Sequence, residues 1–268
     1  MEQFPLRGRV ALVTGVSRRI GIAYALTRRL AAWGADVLAH SWAPHDAEQP
    51  WGEDPLGAEG VLGHLRSELP KGAGRVVGRS GDLGDPTEPA AAVDAAVAAF
   101  GAIDVLVATH ARSSLQDLAG LTVAELDACW AVNVRGTLLL ARRYAEVRDH
   151  SRPGGRVVWF TSGQHLDPMP GELPYAVSKG ALHQLTLSLA AEFAPRGVTV
   201  NCVNPGPVDT GYADEATYQW VRERMPFGRW GRPDDVADLV GWLVSDAVAW
   251  MTGRILDHDG GWSLRVQR

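Results

Sequence analysis

The stretch VALVTGVSRRIG, residues 10–21, decides how this chain folds. It opens with a short apolar run, residues 10–13, which predicts a buried strand. A glycine turn follows, and the periodic pattern over residues 22–33 predicts a helix. In such a unit the glycines let backbone N–H groups and the helix N-terminus approach a pyrophosphate. An ordinary strand-to-helix turn can carry the same glycines, so this stretch alone leaves both interpretations open.

The same alternation of apolar runs and helical patterns continues along the chain, which predicts an α/β fold with a parallel sheet. We expect one domain over residues 1–268, a doubly wound (Rossmann) fold with a mostly parallel, seven-stranded sheet and helices on both faces. The predicted strands are 10–14, 35–41, 75–79, 103–109, 155–161, 198–204 and 254–257. The predicted helices lie near 21–33, 58–69, 86–100, 122–148, 174–195 and 233–245.

Two connecting segments lack this periodicity. Residues 43–57 are proline-rich and predict an extended surface loop. Residues 207–232 are irregular and join a strand to the last helix. In a doubly wound fold that position lies above the ligand site, so the segment is either a substrate lid or a plain connector.

Composition excludes several classes of protein. A net charge of −5 gives no reason to expect nucleic acid or an anionic membrane as partner. No apolar run is long enough to span a bilayer, and the start MEQFPLRGR lacks a signal-peptide pattern. Cys129 and Cys202 lie in apolar segments and read as buried thiols in a reducing cytoplasm, and no metal site is indicated. The ten tryptophans are expected to serve mainly in core or interface packing.

A second pattern carries the chemistry, namely Ser162, Tyr175 and Lys179. The tyrosine and lysine are four residues apart, which places them on one helix face. A phenol titrates near ~10, and a neighbouring ammonium would lower that pKa by stabilising the phenolate. The tyrosine could then protonate a carbonyl oxygen as a hydride reaches the carbon, while the serine hydroxyl holds that oxygen. Alone, YxxxK is a weak signal.

Together, these segments resemble the short-chain dehydrogenase/reductase superfamily over nearly the whole chain. Its phosphate motif TGxxxGxG, its serine followed by YxxxK, and its helix asparagine, here Asn133, occur in the right order. The pair Asp82-Leu83, the run NPGPVDT at 204–210 and DGG at 259–261 match as well. The stretches TSGQ, GELPYAVSKGAL, NPGPVDTGY and DGGW are most similar to the 3-oxoacyl-(acyl-carrier-protein) reductase branch.

The resemblance implies a catalytic tetrad and a set of cofactor contacts. The tetrad is Asn133, Ser162, Tyr175 and Lys179, with Asn133 holding a water that relays protons. The implied contacts of the nicotinamide cofactor are Gly15, Ser17, Arg18, Ile20, Gly21, Ser41, Asp82, Leu83, Ala111, Tyr175, Lys179, Pro205, Gly206, Val208 and Thr210.

The second strand bears on the choice of cofactor. NAD-specific enzymes usually carry a carboxylate at its end for the ribose hydroxyls, and the stretch LAHSW at 38–42 has none. Arg18 occupies a position at which similar reductases contact the 2′-phosphate of NADP, and His40 and Ser41 could donate hydrogen bonds to it. We therefore expect NADP(H) to be preferred over NAD(H).

The chain departs from the family pattern in two places. Arg19 replaces the middle glycine of the phosphate motif, and LVATHA at 106–111 stands where the family reads NNAG. Whether Arg19 or His110 contacts the cofactor does not follow from the sequence. Gln164, His165, Met169 and Glu172 lie between the serine and the tyrosine and are candidates to line the substrate pocket.

The sequence thus predicts a cytoplasmic NADP(H)-dependent oxidoreductase that interconverts a ketone and a secondary alcohol. Its substrate would be a small molecule or an acyl thioester, with 3-oxoacyl thioester reduction as one candidate. Two alternatives stay open. One is an NAD-dependent dehydrogenase of a sugar, steroid or secondary metabolite, and the other is a non-catalytic dinucleotide-binding regulator.

We expect this chain to form a homotetramer, with a homodimer as the alternative. Similar proteins pair through the two long helices beside the active site, here about 122–148 and 174–195, and both carry more apolar residues than one sheet face requires. Light scattering at micromolar concentration measures the mass in solution. A monomer mass would contradict this expectation.

Overall fold

A computed structural model describes residues 5–264 of the chain, whose strands form a seven-stranded parallel sheet. The strands are β1 (Val10–Thr14), β2 (Asp36–Ser41), β3 (Val76–Ser80), β4 (Val105–Ala108), β5 (Gly155–Phe160), β6 (Val198–Asn204) and β7 (Ile255–Asp257). Their order in the sheet is β3-β2-β1-β4-β5-β6-β7. The predicted strand bounds are confirmed to within two residues.

Helices cover both faces of this sheet. They are α1 (Ile22–Ala32), α2 (Ala43–Ala47), α3 (Gly57–Glu68), α4 (Glu88–Phe100), α5 (Val123–Cys129), α6 (Thr137–Val147), α7 (Leu173–Phe193), α8 (Glu215–Arg224) and α9 (Pro233–Val244). One core layer packs α1, α3 and α9 against the sheet, and the other packs α4, α6 and α7. Within β1, Ala11 and Val13 face the first layer and Leu12 the second, as the alternation of side chains in a strand requires.

The strand order places a crevice at the carboxyl ends of β1 and β4. Strand β1 pairs in parallel with β2 on one side and with β4 on the other. The chain therefore leaves β1 in one direction and later returns to its opposite side. Such a reversal separates the loops that follow the two strands, and ligands of doubly wound sheets bind there. The predicted doubly wound α/β fold is confirmed.

The structure corrects the predictions for three segments. Residues 43–57 are not an extended loop, because they contain α2 and the buried Asp54. Residues 207–232 are not wholly irregular, since α8 lies within them. The helix predicted over 122–148 is interrupted between α5 and α6 by a π-helix, Trp130–Gly136. Hydrogen bonds in a π-helix reach one residue further than in an α-helix, so the segment contains an extra residue per turn.

The cysteines and the tryptophans differ in how deeply they are buried. Cys129 and Cys202 are free thiols and both are buried, as predicted. Core packing accounts for few tryptophans, because only Trp159 and Trp230 are buried among those at described positions. Several others have exposed side chains, namely Trp42, Trp130, Trp220, Trp242 and Trp250. Between residues 5 and 264, no helix combines the length and apolar character needed to cross a membrane.

Candidate active site

A cavity of about 680 Å³ opens at the carboxyl ends of the strands. Loops that follow β1 to β6 all contribute to its walls, as expected at the switch point of a doubly wound sheet. It brings together most of the predicted site residues. Those that line it are Gly15, Ser17, Arg18, Gly21, Asp82, Leu83, Ala111, Ser162, Tyr175, Pro205, Gly206, Val208 and Thr210.

Three predicted cofactor contacts do not line this cavity, namely Ile20, Ser41 and Lys179, the last of which is buried beside Tyr175. The side chain of Ile20 is exposed and points towards Gly211. Ser41 is buried and does not line the cavity. Successive side chains of a strand point to opposite faces, so His40 reaches the cavity wall while Ser41 points away from it. The side chains of Ile20 and Ser41 thus lie outside the cavity wall, and their contacts with a cofactor stay a prediction.

The glycine turn forms one end of the cavity. Gly15 has a φ of +87°, and a Cβ there would lie 3.1 Å from the Cα atom of His110. Only glycine combines that backbone angle with such a close approach. Gly21 is the N-cap of α1, and it has no side chain that could accept a hydrogen bond from the first N–H groups of the helix. The first N–H groups of α1 therefore carry no side-chain cap at the cavity end of the helix.

The two adjacent arginines of this turn point in different directions. The Nε atom of Arg19 donates to Asp54 at 3.0 Å, and so does its backbone N–H, also at 3.0 Å. Arg19 is thereby turned away from the cavity, which explains how an arginine fits at the position of the middle glycine. Arg18 lines the cavity, where its Nε atom lies 3.4 Å from an Asp46 carboxylate oxygen and its guanidinium lies over the Trp51 ring.

His110 joins three parts of the cavity floor. Its Nδ1 atom lies 2.7 Å from Thr14 Oγ1 at the end of β1, and its Nε2 atom lies 3.0 Å from the carbonyl oxygen of Val132 in the π-helix. Because a carbonyl only accepts, Nε2 carries the proton and Nδ1 accepts from the threonine hydroxyl. Thr14 Oγ1 in turn accepts from the backbone N–H groups of Thr109 and His110. This network fixes the end of β4 to the end of β1, at the position where the chain departs from the family pattern.

Ser162 and Tyr175 meet in the cavity beside the buried Lys179. The Nζ atom of Lys179 donates to the Phe160 carbonyl oxygen at 3.1 Å and lies 5.6 Å from the centroid of the Tyr175 ring. Burial raises the pKa of Tyr175 to about 12, against a hydrogen bond from Ser162 that lowers it. Burial also lowers the pKa of Lys179 to about 8. Desolvation of the phenolate is therefore the largest influence on the tyrosine pKa in the protein alone, and the lowering by the lysine stays a prediction.

Asn133 is buried and does not line the cavity. Its Oδ1 atom accepts from the Arg112 N–H at 2.6 Å, and its Nδ2 atom donates to the Arg112 carbonyl at 3.0 Å and to Ser178 Oγ at 2.8 Å. Ser178 Oγ then donates to the Tyr175 carbonyl at 2.7 Å. Asn133 thus links the loop after β4 to the turn of α7 that carries Tyr175 and Lys179.

Of the four residues proposed for the substrate pocket, Met169 and Glu172 line the cavity, whereas Gln164 and His165 do not. The side chain of Gln164 instead accepts from the Ser162 N–H at 3.1 Å. His165 lies 3.0 Å from Asp257 at the end of β7.

Sequence reasoning missed several residues of the cavity wall. His45, Asp46 and Trp51 come from the segment around α2, and Tyr212 comes from the region after β6. Periodicity carries no signal for these positions, because the chain reaches the cavity there without a regular strand. Strand β2 ends without a carboxylate, but Asp46, five residues after the end of β2, brings one into the cavity.

Comparison with known proteins places this arrangement among oxidoreductases. Residues 57–263 match the family model described as enoyl-(acyl carrier protein) reductase. An uncharacterized oxidoreductase of Bacillus subtilis, YjdA, is 33% identical, covering 94% of this chain and 96% of that protein. Cyclohexanol dehydrogenase of a Rhodococcus species is also 33% identical, covering 97% and 98%. A short-chain dehydrogenase of Burkholderia cenocepacia, solved in complex with NADP, has a TM-score of 0.82 at 34% identity, covering 96% and 99%.

We predict that the free energy of unfolding decreases in mild acid because of His110. Burial lowers its pKa to about 3 from the ordinary value of 6.5. Between these values the unfolded chain binds a proton that the folded protein does not. The free energy of unfolding should therefore decrease as the pH falls below 6.5, by up to about 1.4 kcal/mol per pH unit from this residue. Denaturant unfolding between pH 7 and about 4.5 measures this dependence.

His110→Asn removes the titrating ring, so it should be less stable than the unmodified protein at pH 7 but should lose less stability on acidification. His150→Gln is the matched control, because His150 is exposed and bonds only a helix carbonyl in this structure. An equal pH dependence in the His110 variant and in the unmodified protein would contradict the assignment.

Proposed function

This chain belongs to the short-chain dehydrogenase/reductase superfamily, and on that premise we propose that it is an NADP(H)-dependent enzyme that interconverts a ketone and a secondary alcohol. The observation that carries the proposal is the meeting of Ser162, Tyr175 and Lys179 at the cavity that the glycine turn closes. Relatives of this chain include a dehydrogenase named for a secondary alcohol, cyclohexanol. That name supports chemistry at a CH–OH or C=O carbon.

The cavity fits a long, polar, anionic ligand such as a nicotinamide dinucleotide. Gly15 and Gly206 both have positive φ angles, and a side chain on either would approach neighbouring backbone. The Nδ1 atom of His40 and the Oγ1 atom of Thr109 are buried without a hydrogen-bond partner, and both residues line the cavity. Buried polar atoms of this kind require a partner, which a bound cofactor would supply.

We assign the cofactor's parts to this chain's residues by position. Gly15 and the N-terminus of α1 would hold the pyrophosphate, and Ser17 and Arg18 would contact the adenosine ribose and its phosphate. Asp82 and Leu83 would contact the adenine, and the segment from Pro205 to Thr210 would contact the nicotinamide. When bound, the cofactor supplies the hydride for ketone reduction or accepts it in alcohol oxidation.

The catalytic residues act on the substrate oxygen. The Ser162 hydroxyl would donate to the carbonyl oxygen and hold it beside Tyr175, whose O–H would supply the proton. Burial raises the pKa of Tyr175 to about 12, so the phenol is protonated at neutral pH but is a weak acid without further stabilisation of its phenolate. The nearby Lys179 ammonium would stabilise the phenolate left after transfer. Asn133 would position Tyr175 and Lys179 through Ser178, which lies on the same turn of α7.

A preference for NADP(H) is supported by charge at the adenosine end. The Arg18 guanidinium lines the cavity there, and β2 ends without a carboxylate. His40 lies at the same wall. The relative in complex with NADP is consistent with this choice.

The substrate would enter beneath residues 207–232, which we propose as the lid. Tyr212 of this segment lines the cavity, and Val208 pairs with Gly231 as an isolated bridge that holds the two ends of the segment together. Acyl thioesters, including 3-oxoacyl thioesters, remain a candidate substrate class, and the matched family model bears the name of an acyl-carrier-protein reductase.

Assembly as a homotetramer or homodimer is part of the same proposal. The helices beside the cavity expose large apolar side chains that the core does not use. They are Val123 and Trp130 before α6, and Val177 and Leu187 on α7. Burying them against a second copy would remove this apolar surface from water.

We predict that Tyr175→Phe lowers kcat by about 10²–10⁴-fold, because the ring remains while the proton donor is lost. The dissociation constant of NADPH, measured by titration, should change less than twofold. Tyr218→Phe is the matched control and should retain activity, because Tyr218 stacks on Trp230 away from the cavity. Turnover of a ketone panel by the Tyr175 variant at near-normal rates would refute the mechanism.

We also predict that Arg18→Ala weakens NADPH binding by roughly ten- to hundredfold, since a charge-assisted contact contributes about 1.5–3 kcal/mol. NADH binding should change little. Arg19→Ala is the comparison variant, because Arg19 is paired with Asp54 outside the cavity. Tighter binding of NADH than of NADPH by the unmodified protein would show that the assignment of Arg18 is wrong.

A further inference from the structure

Asp46 brings a carboxylate to the adenosine end of the cavity. Its side chain is 14% exposed, and three donors converge on it. Ser17 Oγ donates to Oδ2 at 2.5 Å, Trp51 Nε1 donates to Oδ1 at 3.1 Å, and Arg18 Nε lies 3.4 Å from Oδ1. All four residues line the cavity.

These donors are the groups that an anion on the ribose would need. Ser17 and Arg18 belong to the glycine turn, beside the end of β2. A phosphate ester there carries between one and two negative charges and accepts strong hydrogen bonds from a guanidinium. In this structure a carboxylate already uses that guanidinium, so its charge is partly neutralised before any ligand arrives. A 2′-phosphate would have to displace Asp46 or tolerate its repulsion.

Asp46 is held in this position from both sides. Its neighbour His45, also on α2, accepts from the Ser113 N–H through Nε2 at 3.1 Å, on the far wall of the cavity. Burial lowers the pKa of His45, which keeps the ring neutral and able to accept that bond. Adjacent side chains of α2 therefore contact the loop after β4 and the glycine turn.

We propose that Asp46 is a specificity-determining residue for the cofactor: its carboxylate occupies the donors of the 2′-phosphate position and limits the preference for NADP(H) that Arg18 would otherwise produce. This inference rests on the proposed function, because it concerns the same cavity. A ribose with free hydroxyls meets no such competition, since a carboxylate accepts hydrogen bonds from hydroxyl groups.

The test compares dissociation constants of NADPH and NADH for the unmodified protein, Asp46→Asn and Glu48→Gln. Asparagine keeps the shape of the side chain and removes its charge. Glu48→Gln removes the same charge two residues away, from a side chain that is 65% exposed. We expect Asp46→Asn to tighten NADPH binding by about tenfold or more and to change NADH binding by less than about threefold. The control should leave the ratio of the two constants unchanged.

A double variant separates this effect from a general change of the fold. In Arg18→Ala/Asp46→Asn the gain in NADPH affinity should disappear, because the released guanidinium is absent. Asp46→Ser serves as a second variant if thermal unfolding shows that Asp46→Asn does not fold. Equal NADPH-to-NADH ratios for Asp46→Asn and Glu48→Gln would overturn the inference. Failure of the unmodified protein to bind either cofactor would instead overturn the proposed function.

Discussion

The hydrogen bonds of one neutral imidazole hold together the parts of the molecule that form the cavity. His110 accepts from Thr14 at the end of β1 and donates to Val132 in the π-helix, while its own backbone N–H returns to Thr14. The strand that begins the fold, the strand across the switch point and the helix that carries Asn133 therefore meet at one ring. The contact also brings the His110 backbone so close to residue 15 that only glycine fits. The end of β4, where this chain lacks the asparagines typical of the family, is thus held to β1 by hydrogen bonds between His110 and Thr14.

Much of the fold could be predicted because parallel strands are buried on both faces and read as continuous apolar runs. The runs at β1, β5 and β6 gave bounds within one residue of the structure. Most of the site followed from the same fact, since the carboxyl ends of parallel strands lie at one edge of the sheet. Ser162, Gly15 and Pro205, far apart in sequence, were expected together and line one cavity.

Contacts between distant segments account for what the sequence did not predict. Nothing in the order of residues 43–57 indicates that Asp46 reaches Arg18 or that Asp54 reaches Arg19. Burial raises the pKa of Tyr175, and the spacing of Tyr175 and Lys179 in the sequence does not show how deeply tertiary packing buries the phenol. The alternation of side chains along β2, whose direction depends on how the strand lies in the sheet, decides that His40 and not Ser41 lines the cavity.

The π-helix at Trp130–Gly136 makes the number of residues between α5 and α6 as important as their identity. Each residue of an α-helix turns the chain by about 100°, so deleting one residue here would restore regular hydrogen bonding but rotate α5 against α6 by that amount. Asn133 would then no longer face the Arg112 backbone and Ser178 together. Substitutions along the outer face of the helix leave this register intact. Among descendants of this chain, we expect the segment to vary in sequence while its number of residues stays fixed, whereas the surface loops vary in both.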